Sequence, residues 1–251
     1  MSSTPHQSDA VVAVIPARMA STRFPGKPLA SETGKPMIQH VCERAAKATR
    51  VDRILVATDD QRIIDAVEGF GGEAVRTDAE HPNGTSRIAE VAAGLDCAIV
   101  VNVQGDEPMI DPETIDLAVQ ALLEDEAVQM ATVACTFAAE EDPDDPNLVK
   151  VVHDARGRAT NFSRTTISEA GSNGNSPQLR HVGLYAYRKA FLPVFAGLPS
   201  TQRESTERLE QLRALDHGYP IAVAHCPPAH HGIDTPEQYA RFVKEMNELS
   251  D

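Results

Sequence analysis

Three cations stand close together near the start of the chain. Arg18, Arg23 and Lys27 lie in "VVAVIPARMASTRFPGKPL" (11–29), and no acidic residue falls between Asp9 and Glu32, although the 251-residue chain has a formal charge of -14. Their loop is rich in Ser, Thr, Gly and Pro and follows an unbroken apolar run. Guanidinium forks, an ammonium and backbone N–H groups near Ala20–Thr22 suit a polyphosphate. The loop has one glycine, Gly26, and matches neither GxxxxGK[ST] nor GxGxxG, so a dinucleotide fold is a poor fit. Two carboxylates extend the chemistry. Asp106 closes the apolar run of "CAIVVNVQGDEP" (97–108), and Asp234 sits in "HHGIDTPE" (230–237). Mg²⁺ takes one or two carboxylates together with phosphate oxygens and water, so the pair suits one bridging metal site. His230 and His231 are adjacent and point apart, and no third His or Cys stands at ligand spacing. They read as solvated or supporting residues.

The elements that must position these groups follow from periodicity. Apolar runs at 11–17, 53–60, 73–77, 97–108 and 129–137 read as strands, alternating with helices over 36–49, from Asp59 or Asp60 to Gly71-Gly72, over 86–95 and from Asp111-Pro112. Near-continuous Val/Ile/Ala strands between helices imply a mainly parallel sheet covered on both faces. Ligands in such sheets bind beyond the carboxyl ends of the strands, where the cation loop and the "QGDEP" turn both fall. Beyond an acidic, Pro-broken loop at 140–147, residues 149–163 read as a hairpin turning near Asp154–Gly157, and 168–180 as a flexible loop. Strands at 181–188 and 221–227, a helix over 201–216 and a final helix capped at Thr235 complete the chain. Leu209, Leu212 and Leu215 read as the buried stripe of the 201–216 helix. The expected architecture is one three-layer α/β/α domain over 1–251, with a disordered tail at 1–9 and a hairpin-and-loop elaboration over 149–188.

Composition excludes several classes. Aromatics make up 4% and Trp is absent, which leaves no stacking platforms for single-stranded nucleic acid. The net charge opposes general nucleic-acid binding, yet a local cluster can still attract a small anion. Cys42, Cys97, Cys135 and Cys226 lie far apart with no CxxC pair, as free thiols in a reducing cytosol do. Residues 1–9 lack the apolar core of a signal peptide, and no stretch approaches the ~20 apolar residues of a membrane span. A cytoplasmic protein without membrane or nucleic-acid partners is expected.

Seven ordered blocks carry a resemblance: "IPARMASTRFPGKPL", "HPNGTSR", "VNVQGDEPMI", "NFSRTTI", "RHVGLYAYR", "LEQLRAL" and "GIDTPE", spanning 15–237. Together they resemble the bacterial 3-deoxy-manno-octulosonate (Kdo) cytidylyltransferases, nucleotide-diphospho-sugar transferases of the glycosyltransferase-A-like fold. The resemblance implies that CTP and Kdo give CMP-Kdo and pyrophosphate with Mg²⁺, for lipopolysaccharide-type glycans, in a homodimer. It implies that Arg18, Ser21, Arg23 and Lys27 hold the triphosphate and that Ser86, Arg87 and Gln104 contact the nucleotide. Asp106 and Asp234 match the metal carboxylates, Lys27, Arg18 and Asp106 the catalytic set, and Arg164, His181, Tyr185, Glu210 and Gln211 the sugar-acid pocket. Two places depart from the family pattern: Ser168 stands for a proline after "NFSRTTI", and His230 and His231 replace small residues. A related sugar acid (amino-substituted or sialic-acid-like) is the alternative acceptor, and a non-catalytic nucleotide-binding protein is the alternative class.

Overall fold

From Val11 to Ile15 every residue is buried, as a strand covered on both faces requires. The computed structural model describes residues 9–20, 22–168, 170–172 and 174–249. The elements run β1 (Val11–Pro16), α1 (Met37–Ala45), β2 (Arg53–Thr58), α2 (Gln61–Gly69), β3 (Ala74–Arg76), α3 (Gly84–Ala93), β4 (Ile99–Asn102), α4 (Pro112–Glu124) and β5 (Met130–Cys135). They continue as β6 (Lys150–His153), β7 (Ala159–Ser163), β8 (Leu179–Arg188), α5 (Leu192–Gly197), α6 (Gln202–Glu207), α7 (Gln211–Asp216), β9 (Ile221–His225) and α8 (Pro236–Glu248). The chain packs as two compact units. The first takes residues up to 97, 102–112 and from 230 onward; the second takes 98–101 and 113–229. The expected tail at 1–9 lies outside the described residues but for Asp9.

In the first unit β1, β2 and β3 are parallel, with Val12 opposite Arg53 and Ala57 opposite Val75. Asp60 caps α2 by accepting from the Arg62 N–H, and Thr235 with Gln238 forms a reciprocal capping box on α8. One apolar cluster matters most for the site. Met37, Ile233, Tyr239 and Phe242 pack together, with Phe24 and Met109 against them. Phe24 belongs to the cation loop and Ile233 precedes Asp234, so a single cluster anchors both segments.

The second unit has β8 between β4 and β5, and β9 beyond β5. β5 runs antiparallel to β8 and parallel to β9, while β6 pairs antiparallel with both β7 and β8. Its sheet is therefore mixed, where the first unit's is wholly parallel. The hairpin turns at Asp154–Gly157 as its sequence suggests, with the Gly157 N–H on the Asp154 carbonyl. Beyond the hairpin, the Ser176 N–H donates to the His153 carbonyl at 2.7 Å and the Gly171 N–H to the Ser176 carbonyl at 2.8 Å. The single helix expected over 201–216 is two helices. Arg208 takes a left-handed conformation, φ 54°, and breaks α6 from α7. Leu209 therefore lies outside any helix, though it and Leu212 are buried. The short helix α5 was not foreseen. Among the described residues no helix is long and apolar enough to cross a membrane.

Gly105 is a fixed point of the first unit. A Cβ there would stand 2.7 Å from the Pro16 carbonyl oxygen, a backbone atom that cannot swing aside. Gly105→Ala is expected to destabilise the protein by about 1–3 kcal/mol through overpacking, measured by urea denaturation. A midpoint equal to wild type would show that the β1 exit yields without cost.

Candidate active site

The cation loop closes on itself. Gly26 adopts φ 75°, and its N–H donates to the Met19 carbonyl while the Leu29 N–H donates to the Gly26 carbonyl. Lys27 then opens a single tight turn whose Pro28 is buried. The Lys27 ammonium donates to the Ile233 carbonyl at 2.6 Å and to Asp106 Oδ2 at 3.1 Å, and stands 3.5 Å from Asp234 Oδ1. Arg23 Nη2 reaches Asp234 Oδ2 at 3.0 Å from a much more exposed position. Arg18 is exposed, and its guanidinium makes no hydrogen bond or ion pair among the described residues. Ser21 lies outside them.

The facing wall comes from the 102–112 segment and α3. Val103 N–H donates to the Val14 carbonyl at 3.2 Å, which sets Gln104, Gly105 and Asp106 beside the exit of β1. Asn83 caps α3 by accepting from the Ser86 N–H at 2.8 Å. The first turn of this ten-residue helix presents the partial positive charge that favours anions. Arg87, 4% exposed, is held by Asp59 at 3.0 Å and by the Thr77 hydroxyl. Sequence reading missed Asp59, assigning it at most a helix cap, and placed the start of α3 two residues late, so Asn83 was missed too. The Asn-Gly pair of "HPNGTSR" was the available signal for the cap. Arg18, Arg23, Lys27, Asn83, Gly84, Arg87, Gln104 and Asp106 line one cavity of about 450 Å³.

The ammonium's surroundings test the metal reading. Two carboxylates and one carbonyl converge on a single cationic nitrogen, a hard-oxygen donor set of the kind Mg²⁺ accepts. No group of three or more His, Cys, Asp and Glu forms a metal cluster among the described residues, and a phosphate-assisted Mg²⁺ site needs only one or two carboxylates. His230 and His231 are exposed.

The residues assigned to a sugar pocket all fall in the second unit. A bulge in the β5–β8 ladder sets Thr132 opposite Tyr185 but Val133 opposite Val182, which bends β8 between His181 and Tyr185. The two rings end 5.5 Å apart. Thr132 spends its one hydroxyl proton on the Leu184 carbonyl at 2.7 Å, so His181 Nε2, 2.9 Å away, must be the donor to it. His181 Nδ1 is thereby the accepting nitrogen. Both rings keep a partly exposed edge but are surrounded deeply by protein. Burial pushes the His181 imidazole down to about 3 and, with the Glu210 charge adding, pushes the Tyr185 phenol up. Gln211 is buried, and its side-chain nitrogen has no hydrogen-bond partner among the described residues. Glu210 Oε1 stands 3.8 Å from Arg213. Arg164 donates from Nε to the Glu207 carbonyl and from Nη1 to the Pro146 carbonyl, which commits two of its five N–H donors.

A parallel βα unit whose first strand ends in a cation loop, with two carboxylates on the same ammonium, has the build of a nucleotidyltransferase acting on a triphosphate. Comparison with known proteins agrees. Residues 12–221 match the family described as Cytidylyltransferase. The chain is 52% identical to the 3-deoxy-manno-octulosonate cytidylyltransferase of Syntrophotalea carbinolica, over 95% of this chain and 99% of that protein. It is 46% identical to the one of Geobacter sulfurreducens, over 94% and 99%. A CMP:2-keto-3-deoxy-manno-octonic acid synthetase solved in complex with CTP superposes with a TM-score of 0.89 at 40% identity, covering 96% of this chain and 99% of that one. The chain belongs to the cytidylyltransferases and, within them, to the 3-deoxy-manno-octulosonate cytidylyltransferase family, with the nucleotide-diphospho-sugar transferase fold and its mostly parallel, helix-flanked sheet.

The depressed His181 pKa has a consequence for stability. The unfolded chain takes up this proton near pH 6.5, whereas the folded protein resists it until about pH 3. Stability from this group is therefore complete above pH 6.5 and falls as pH drops, by up to about 1.4 kcal/mol per pH unit. Urea denaturation at pH 7 and pH 5 should show a smaller loss in His181→Gln than in wild type. Equal losses would mean that this imidazole protonates in place.

Proposed function

We propose that the protein transfers the cytidylyl group of CTP to 3-deoxy-D-manno-octulosonate, giving CMP-Kdo and pyrophosphate. One observation carries the reading: Lys27, which reaches both Asp106 and Asp234, lines with Asp106 a cavity shared by Arg18, Arg23 and the α3 N-terminus, in a chain 52% identical to a protein named for that reaction.

Arg18, Arg23 and Lys27, with Ser21 and the α3 N–H groups, hold the triphosphate; Ser86, Arg87 and Gln104 contact the nucleotide. Arg87 is suited to this by the rigid grip of Asp59 and Thr77 on its guanidinium. Asp106 and Asp234 would hold Mg²⁺, which supplies positive charge at the phosphate oxygens when bound. The acceptor's anomeric hydroxyl attacks the α-phosphorus and pyrophosphate departs. Negative charge grows on the bridging and equatorial oxygens, where Lys27, held by Asp106, Asp234 and the Ile233 carbonyl, and the exposed Arg18, whose donors are uncommitted among the described residues, bring positive charge, so positioning and local charge lower the barrier. For the sugar acid, Arg164 retains donors for a carboxylate, His181 Nδ1 and Glu210 accept from hydroxyls, and Gln211 supplies the unpartnered amide N–H. Tyr185, kept neutral, both donates and accepts. The reading carries with it a single-domain cytoplasmic homodimer that feeds lipopolysaccharide-type glycan synthesis.

Pyrophosphate release with each of four nucleoside triphosphates and a panel of sugar acids tests the assignment. CTP with Kdo should exceed every other pair; release with no CTP pair would overturn it. Asp106→Asn should lower kcat by ~100-fold or more with unchanged circular dichroism, the scale of losing one transition-state charge contact. Near-wild-type turnover would remove Asp106 from the metal site. Arg164→Lys should raise KM for the sugar acid by ~10-fold or more while leaving KM for CTP alone, because Lys lacks the planar fork. Movement of the CTP parameter only would place Arg164 with the nucleotide.

A further inference from the structure

Cys135 and Cys226 are 91 positions apart in sequence, yet they are neighbours in the second unit. β5 and β9 run parallel with Ala134 opposite His225, and the Cys226 N–H continues the ladder onto the Ala134 carbonyl at 2.9 Å. The two cysteines thus stand one step beyond the last paired residues, on adjacent strands. Neighbouring strands lie about 4.8 Å apart, inside the ~4.4–6.8 Å Cα window of a disulfide. As neighbours on parallel strands they send their side chains to the same face of the sheet, and each thiol is the largest influence on the other's acidity. Cys135 is buried and Cys226 half-buried, so the pair has a closed end and an open end.

A guanidinium completes the cluster. Arg180 lies opposite Cys135 in the β5–β8 ladder, pairs with Glu141 at 3.3 Å in a buried ion pair, and donates to the Ala229 carbonyl. The thiol hydrogen bond from Cys226 holds Cys135 toward its thiolate, with the Arg180 charge adding and burial opposing. The same arrangement, with burial, pushes the Cys226 thiol up. Cys42 offers a contrast: burial, with the Glu43 charge adding, pushes its thiol up to about 12.

We propose that Cys135 and Cys226 are a reversible dithiol–disulfide pair, a redox-modification site that ties the chain leaving β9 to the end of β5. The oxidant class is a small-molecule disulfide. Cys226, at the open end, passes its proton to the adjoining Cys135 thiolate as it attacks one sulfur of the reagent; that S–S bond breaks and one thiolate leaves, taking up a proton from water. Cys135 then gives up that proton and attacks Cys226 Sγ in the mixed disulfide, expelling the second thiolate, which takes the proton. One S–S bond forms as one breaks, and two electrons pass from the protein to the reagent. The link would close eight residues before Asp234, on the segment by which the chain passes from the second unit into the first. The proposal does not rest on the cytidylyl-transfer reading.

The test uses the full chain in glutathione buffers of rising glutathione disulfide content, quenched in acid, alkylated in denaturant and digested without reduction. Free thiols should fall from four to two, with a loss of about 2 Da of intact mass. One cross-linked peptide should join Cys135 to Cys226, and dithiothreitol should restore all four thiols. Cys226→Ala and Cys135→Ala, each checked by circular dichroism, should form no internal link. Four free thiols retained by wild type in excess glutathione disulfide, glutathione adducts alone, or a link through Cys42 or Cys97 would overturn the proposal.

Discussion

An ammonium shared by three oxygens organises the first unit's loops. Lys27 Nζ is held by the carbonyl of Ile233 and the carboxylates of Asp106 and Asp234, groups 79 to 207 positions away in sequence. Without that cation, two carboxylates would face each other near the exit of β1, at a repulsive cost that partial burial increases. Without the carboxylates, a lysine side chain only 12% exposed would sit beside a carbonyl with its charge uncompensated. Each side makes the other tolerable. The apolar cluster of Met37, Ile233, Tyr239 and Phe242 supplies the rigidity beneath it, because Phe24 and Ile233 anchor the two segments that carry the charges.

The same contact explains how an acidic protein can hold a polyanion. A formal charge of -14 repels a triphosphate at long range, but screening confines that field to about one Debye length, ~8 Å at physiological ionic strength. Inside the cavity the balance is local. Lys27 is committed to Asp106 and Asp234, Arg23 to Asp234 and Arg87 to Asp59, while the exposed Arg18 keeps its donors. A divalent cation taken by Asp106 and Asp234 would release Lys27 and Arg23 toward the phosphates. Metal and nucleotide would then strengthen one another through charge already present in the loop.

Much of this was legible in the sequence, for identifiable reasons. Val11–Ile15 and Ile99–Val101 are apolar without interruption, so their strand nature and the polar turns that follow them could be read directly. Thr235 and Gln238 announce α8 because a capping box is a local device. Arg208 carries no such mark: nothing in its side chain predicts a left-handed backbone, and the break between α6 and α7 passed unseen. The bulge in β8 is equally hidden, since it arises from pairing with β5. The Ile233 carbonyl has no side-chain signature, and the pairing of Asp59 with Arg87 joins two elements only when β2 and α3 pack. Cysteines that look scattered become neighbours once β9 is placed beside β5. What escaped is what depends on one segment meeting another.

The two groups of assigned residues differ in kind, and under the proposed function the difference follows from what each would recognise. Those of the first unit are mostly ionic, four cations and two carboxylates beside Ser21, Ser86 and Gln104, as a triphosphate and a metal demand. Those of the second unit are mostly held neutral. Burial keeps His181 an imidazole and Tyr185 a phenol, and Gln211 offers an amide. A sugar presents hydroxyls, which donate and accept at once, and a site of fixed neutral donors and acceptors can tell one arrangement of hydroxyls from another without attracting every anion. The Thr132 hydroxyl sharpens that selectivity, because it fixes which imidazole nitrogen accepts. Arg164 is the one charge of the set suited to a carboxylate, and two of its donors are already anchored to backbone carbonyls, so its remaining donors are held in place before any acceptor arrives. On the proposed assignment, discrimination among sugar acids would thus depend on how rigidly β5, β8 and the Glu207 turn hold these few atoms.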